Sequence, residues 1–157
     1  MSYSSDDQEY LSPEGYRKLQ EKLSELKTQR RVEIAKHLEY AKELGDLSEN
    51  AEYAEAKEEQ MVNETEIAKL ESILSRAKVV VHEISETIRV GSVIVCKRSG
   101  ISEEQFTIVG REEADPLKGN ISHESPLGKA FLGHRKSEKI LVLTPRGEIE
   151  YHIIDII

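Results

Sequence analysis

The sequence predicts an α+β protein in which an N-terminal antiparallel coiled-coil hairpin precedes a small antiparallel sheet packed on one short helix. Three observations carry that expectation. Apolar residues recur every three or four positions through two long stretches separated by Gly45. No proline lies between Pro13 and Pro116, so neither stretch has a reason to break early. Beyond Lys78 the helical period gives way to short runs rich in valine and isoleucine, divided by turn-forming residues.

Residues 1–11 are polar and are expected to form a flexible tail. Ser12-Pro13-Glu14 is a helix start: the serine caps, the proline is preformed for the first helical position, and the glutamate favours the positive end of the helix dipole. Tyr16, Leu19, Leu23 and Leu26 then form a narrow seam, which resumes at Ile34, Leu38 and Ala41. Arg30-Arg31 interrupts it. Gly45 ends the first arm, where a left-handed residue is commonly required. The second arm carries Ile67, Leu70, Ile73, Leu74 and Ala77, with Ala51, Ala54 and Ala56 allowing close approach near the turn. A turn centred on Asp46 pairs residues whose numbers sum to about 92, which sets Leu19 near Ile73 and Leu26 near Ile67. Each arm of roughly 32 residues extends about 48 Å.

The hairpin is therefore placed at residues 12–79, with its tip at 43–53, and the second domain at 80–157. In that domain the strand candidates are Val79–Val81, Val90–Cys96, Phe106–Val109, Lys139–Leu143 and Glu148–Ile154. Ser125-Pro126 opens one short helix that Gly133 closes.

Composition narrows the function. Of 157 residues 33% are charged and only 5% aromatic, which suits solvated helical faces better than a deep apolar pocket. A net charge of −8 argues against autonomous binding to nucleic acid, since phosphate contacts need a cationic surface. The single Cys96 makes no internal disulfide and is expected as a small buried hydrophobe. No apolar run approaches the ~20 residues that span a bilayer, and the first residues lack an export signal, so a cytoplasmic location and no membrane contact are expected. The five histidines show no metal-ligand spacing.

Charge is distributed unevenly. From Arg17 to Lys42 eight bases face four acids, whereas Glu43, Asp46, Glu49, Glu52, Glu55, Glu58 and Glu59 face Lys57 alone. On their residues alone, Asp46 and Glu49 admit two readings. Asp-x-x-Glu is a helix-capping pattern, worth about 1 kcal/mol. Two carboxylates three apart also share a helical face and offer hard oxygen ligands to Mg²⁺.

Gly45-Asp46-Leu47-Ser48-Glu49-Asn50-Ala51-Glu52-Tyr53, followed by Ala56-Lys57-Glu58-Glu59-Gln60, resembles the tip signature of the bacterial transcript cleavage factors of the GreA/GreB family. So do Thr107–Gly110, Glu113–Pro116, Ile121–Ala130 and Thr144–Glu148 with Tyr151 in the second domain. Leu47 and Glu52 are similar to the GreA version of the tip, and Arg135–Lys139 departs from the family's usual glycine-containing turn. The resemblance implies an FKBP-like second domain and a monomeric accessory factor of bacterial RNA polymerase, not an enzyme by itself. It implies docking at the rim of the secondary channel through Glu124, Ser125 and Pro126, and a coiled coil reaching the active site. There Asp46 and Glu49 would share the second Mg²⁺ of the polymerase, no cofactor being the factor's own, and stimulate cleavage of backtracked RNA. Lys42 and Lys57 would hold the extruded RNA 3′ end. Arg30, Arg31 and Lys36 either extend that basic patch or pair with Glu33 and Glu39. The alternative is a channel-binding regulator or inhibitor that does not promote cleavage.

Overall fold

The apolar seams of the two arms meet, and that contact builds the first half of the molecule. A computed structural model of the chain describes residues 8–45, 51–81, 85–98, 102–144 and 147–157. The chain forms two units, Tyr16–Arg76 and a second made of Met1–Gly15 with Ala77–Ile157.

In the first unit, helix α1 (Pro13–Glu25) runs through a π-helical turn at Leu26–Arg30 into α2 (Arg31–Glu43), and α3 (Ala51–Arg76) returns antiparallel. Ile34 and Ala41 of the first arm are buried with Ala56, Asn63, Ile67, Leu70 and Ile73 of the second. Ion pairs confirm the register: Lys22 meets Glu66 at 2.7 Å, Lys27 meets Glu71 at 2.5 Å, and Arg31 forks onto Glu64 at 2.6 and 2.8 Å. These partners lie three to six residues from the predicted pairing, on both sides of it.

The π turn explains the gap in the seam. Leu26 and Ile34 are eight residues apart, whereas two α-helical turns take about 7.2. A π turn absorbs one extra residue and brings Ile34 back to the buried face. Two side chains hold it: Thr28 Oγ1 donates to the Ser24 carbonyl at 2.7 Å, and Asn63 Nδ2 donates to the Leu26 carbonyl at 3.3 Å. Deleting the exposed Gln29 should therefore convert the turn to α-helix and keep the seam aligned. We expect a melting temperature within a few degrees of the parent. Deleting Lys36 instead rotates Leu38 and Ala41 out of the seam and should cost at least ~2 kcal/mol, read by thermal denaturation.

Acid should loosen the same unit. The Arg31 guanidinium hydrogen-bonded to Glu64 holds that carboxyl below its ordinary 4.5, and Lys22 does the same to Glu66. Groups depressed on folding contribute stability that is complete above the ordinary value and is lost as pH falls through the folded one. Melting temperature is expected to decline below about pH 4.5, with a shallower decline in Glu64→Gln.

In the second unit, β3 (Val93–Arg98), β4 (Glu103–Val109), β5 (Asn120–Ser122), β6 (Lys139–Thr144) and β7 (Gly147–Ile156) form a sheet in the order β5-β4-β3-β7-β6. The β3–β4, β3–β7 and β6–β7 pairings are antiparallel. The expected antiparallel sheet thus gains one parallel pair, β4–β5, because the chain between them crosses over through short 3₁₀ turns at Arg111–Glu113 and Pro116–Lys118. Alternate residues Ile94 and Cys96, Ile140 and Val142, and Tyr151 and Ile153 point to one face. Helix α4 (Pro126–Phe131) covers that face with Phe131, whose ring meets Tyr151 edge-on at 5.6 Å between centroids. Burial pushes the Cys96 thiol up to about 12, with Glu104 adding to the rise, so it packs as the inert hydrophobe expected.

The N-terminal segment differs from the tail the sequence predicts. Glu9–Leu11 is a strand, β1, paired in parallel with β2 (Ala77–Val79). Its ladder leaves Leu11 1% exposed, and Tyr10 sits edge-on to His123 at 5.2 Å with the Lys78 ammonium 5.9 Å from its centroid. Beyond it Ser12 is clamped: its N–H donates to Glu113 Oε2 at 2.6 Å and its hydroxyl donates to Glu113 Oε1. Ser12 Oγ in turn accepts from the Gly15 N–H at 2.9 Å, the serine cap the sequence predicts.

Candidate functional site

The closed end of the hairpin is where the chain concentrates carboxylates. Helix α2 stops at Glu43, and the Leu44 N–H turns back to the Ala41 carbonyl at 3.3 Å. Gly45 follows with φ +116°, a conformation that side-chain-bearing residues rarely adopt. A Cβ there would meet nothing within 4 Å, so the glycine serves the backbone turn and not a close approach. Ala41 and Ala56 are buried between the arms, as expected of small residues that bring two helices together next to a turn.

Asp46 and Glu49 lie outside the described residues, as do Leu47, Ser48 and Asn50. What is described is their frame: Glu43 and Gly45 on one side, Ala51 and Glu52 on the other, all exposed. Among the described residues no three of His, Cys, Asp and Glu converge to hold a metal ion. Carboxylate oxygens are the hard ligands that Mg²⁺ prefers, and any two of them leave most of its shell to waters and other oxygens.

Lys42 is exposed on the last turn of α2, two residues from Leu44. Lys57, also exposed, stands two turns into α3, where its Nζ donates to Gln60 Oε1 at 2.8 Å. Farther back Arg30 and Arg31 are committed, whereas Lys36 is exposed and pairs with neither Glu33 nor Glu39. Arg30 bonds Glu33 at 3.1 Å, as one sequence reading expects, and also Glu59 at 3.2 Å. Arg31 turns across the hairpin to Glu64 and not to Glu39. The sequence did not single out that fork, or Asn63 in the seam; the signal for Asn63 was its spacing of seven from Ala56 and four from Ile67.

In the second unit, Ser125 is the N-cap of α4. Its Oγ accepts from the Gly128 N–H at 3.0 Å and donates to the Ser122 carbonyl at 2.7 Å. Pro126 takes the first helical position, and Glu124 is exposed ahead of the cap. Ser125 and Pro126 therefore shape the segment, leaving Glu124 as its outward charge.

Residues 9–79 match the family model described as "Transcription elongation factor, N-terminal", and residues 83–157 the one described as "Transcription elongation factor, GreA/GreB, C-term". The chain is 43% identical over 155 residues to the transcription elongation factor GreA of Roseiflexus sp. strain RS-1, covering 97% of this chain and 99% of that one. It is 44% identical over 150 residues to the GreA of Clostridioides difficile strain 630, covering 93% and 94%. Among solved structures it is similar to the GreA factor homolog 1 (Gfh1) of Thermus thermophilus, at 32% identity over 96% of this chain and 99% of that chain, with a TM-score of 0.43. No helix among the described residues is long and apolar enough to cross a membrane.

Proposed function

Because this chain belongs to the GreA/GreB family of transcription elongation factors, we propose that it acts by presenting Asp46 and Glu49 to the active site of bacterial RNA polymerase. There it stimulates cleavage of backtracked RNA. The observation that carries this reading is the antiparallel pairing of the arms up to Ala41 and Ala56, which leaves the acidic segment as the connection at the hairpin's closed end.

The chemistry asked of the chain is limited. Phosphodiester hydrolysis assisted by two metal ions requires ligands for an ion beside the attacking water, and Mg²⁺ bound there supplies a more acidic water and charge neutralisation. Asp46 and Glu49 would hold and orient that site with carboxylate oxygens, the remaining ligands coming from the polymerase, the RNA and water. Lys42 and Lys57, on the exposed flanks, would contact RNA phosphate as point charges. Glu124, set outward by the Ser125 cap and Pro126, would meet the polymerase rim. Apart from the polymerase the chain should have no nuclease activity, since two carboxylates by themselves bind Mg²⁺ weakly.

A backtracked elongation complex with end-labelled RNA tests this directly. Addition of the protein with Mg²⁺ is expected to shorten the RNA from its 3′ end and restore elongation, and the protein without polymerase should leave the same RNA intact. Binding to the complex with unchanged RNA length would replace this reading with that of a channel-binding regulator.

A further inference from the structure

We propose that the open edge of the sheet, strand β6, pairs antiparallel with β6 of a second copy of this chain, forming a reversible two-fold dimer. β6 is the last strand in the order β5-β4-β3-β7-β6, and among the described residues its one ladder partner is β7.

The register with β7 shows which backbone groups are left over. Glu138 and Ile153 form a bonded pair, the Ile153 N–H donating to the Glu138 carbonyl at 2.9 Å, and Lys139 faces His152 next to them. In an antiparallel ladder bonded and non-bonded pairs alternate. Ile140 and Val142 therefore bond β7, while Lys139, Leu141 and Leu143 aim their N–H and C=O groups at the open edge. The side chains divide in the same way: Ile140 and Val142 are buried, whereas Leu141 and Leu143 are 56% and 71% exposed. Unpaired backbone groups beside exposed leucines make a template for another strand. The charge or proline that usually guards such an edge is missing from residues 140–143.

What this edge fits is itself. Pairing about a two-fold axis at Val142 sets Leu141 of each copy opposite Leu143 of the other, and both leucines then use their free N–H and C=O groups in one bonded pair. On β7 Glu150 stands beside Leu141 and Glu148 beside Leu143, so each leucine pair has one glutamate of each copy at its ends. Those two carboxylates are three strand spacings apart, about 14 Å. The screening length at physiological ionic strength is ~8 Å, so their repulsion does not prevent the pairing. A basic partner strand gains less, because Lys139 already neutralises Glu150 at 3.0 Å. Two strands of six residues make a small contact beside the ~1,200 Å² and more that stable interfaces bury. The dimer therefore dissociates on dilution, where the monomer prevails. The proposal does not depend on the polymerase reading.

Sedimentation of the full chain over a concentration series, with amide hydrogen exchange at the same concentrations, is the test. We expect the average mass to rise toward that of two chains. Exchange at Leu141 and Leu143 should slow by about 10-fold or more as it does so, while Ile140 and Val142, already bonded to β7, hold their rates. Added salt should strengthen the association, because two chains of net charge −8 repel one another. Leu143→Lys should weaken it at least ~10-fold without lowering the melting temperature, since that side chain is exposed and lies next to Glu148. Leu117→Lys, 99% exposed but outside the sheet, should leave it unchanged. A chain that stays monomeric throughout, or a dimer in which Leu141 and Leu143 exchange at the monomer's rates, would overturn the proposal. So would undiminished association in Leu143→Lys, or association that weakens with salt. Protection of these two amides only after polymerase is added would assign the edge to that partner and overturn the proposal equally.

Discussion

Gly110→Ala is expected to destabilise the sheet-bearing unit by at least ~3 kcal/mol and to lower its melting temperature by more than about 10 °C. The backbone dihedrals are not the reason: with φ −67° and ψ 167° the position suits any residue. The reason is contact. A Cβ at Gly110 would overlap the carbonyl carbon and oxygen of Tyr10, and main-chain atoms cannot swing aside as the end of a long side chain can. To relieve the overlap β1 must leave its place, which breaks its ladder to β2 and the Tyr10–His123 ring contact and strains the Ser12–Glu113 clamp. The variant should therefore lose protection against proteolysis around residues 8–15 along with thermal stability. Glu113→Gln makes the contrast, because it keeps the shape and weakens only charge-assisted hydrogen bonds, and should cost roughly 1–2 kcal/mol. A Gly110→Ala protein that melts with the parent would mean that β1 is held loosely enough to shift without cost.

That contact also marks the limit of what could be read from the residues. The hairpin was legible because its code is local: Tyr16, Leu19, Leu23 and Leu26 repeat at helical spacing, and Gly45 punctuates them. Strands β3, β4, β6 and β7 were legible in kind for the same reason, since Ile94 and Cys96 or Ile140 and Val142 alternate within a few residues, whereas the three-residue β5 was not. Strand β1 was not. Three residues carry no period, and the partner that makes Glu9–Leu11 a strand is supplied by Ala77–Val79 from beyond the whole hairpin. Gly110 and Glu113 stood out as parts of family-like motifs, yet their physical role depends on Tyr10 and Ser12, about a hundred positions earlier. The π turn lies between these cases. Its trace is the eight-residue step from Leu26 to Ile34, which read as a weakened seam because Arg30 and Arg31 fill the gap. At the hairpin's closed end, residue type made the carboxylates conspicuous, whereas the cross-hairpin fork of Arg31 on Glu64 needed the register of both arms to be seen.

Replacing the tip carboxylates should separate chemistry from folding. Asp46→Ala and Glu49→Ala are each expected to reduce RNA cleavage in a backtracked complex by roughly 100-fold or more, because removal of groups that hold and orient a metal site costs at least that much. Binding to the elongation complex should change little, since the docking proposed above lies in the other domain and Ala41, Ala56, Ile67 and Ile73 pair the arms away from the substituted positions. Alanine alone leaves one ambiguity, for it also removes any helix cap that the Asp46-x-x-Glu49 pattern provides. Asp46→Asn resolves it. Asparagine caps a helix as well as aspartate does but brings no charge to a metal ion. If the carboxylate serves Mg²⁺, Asp46→Asn should melt with the parent and cleave as poorly as Asp46→Ala, with partial rescue at raised Mg²⁺ concentration. If its role is only to cap, Asp46→Asn should retain both stability and cleavage while Asp46→Ala loses some of each. Cleavage at parental rates by the double Asp46→Asn, Glu49→Gln protein, with binding intact, would remove the tip from the reaction altogether. The two arms would then act through occupancy of the channel and not through the oxygen atoms at their closed end.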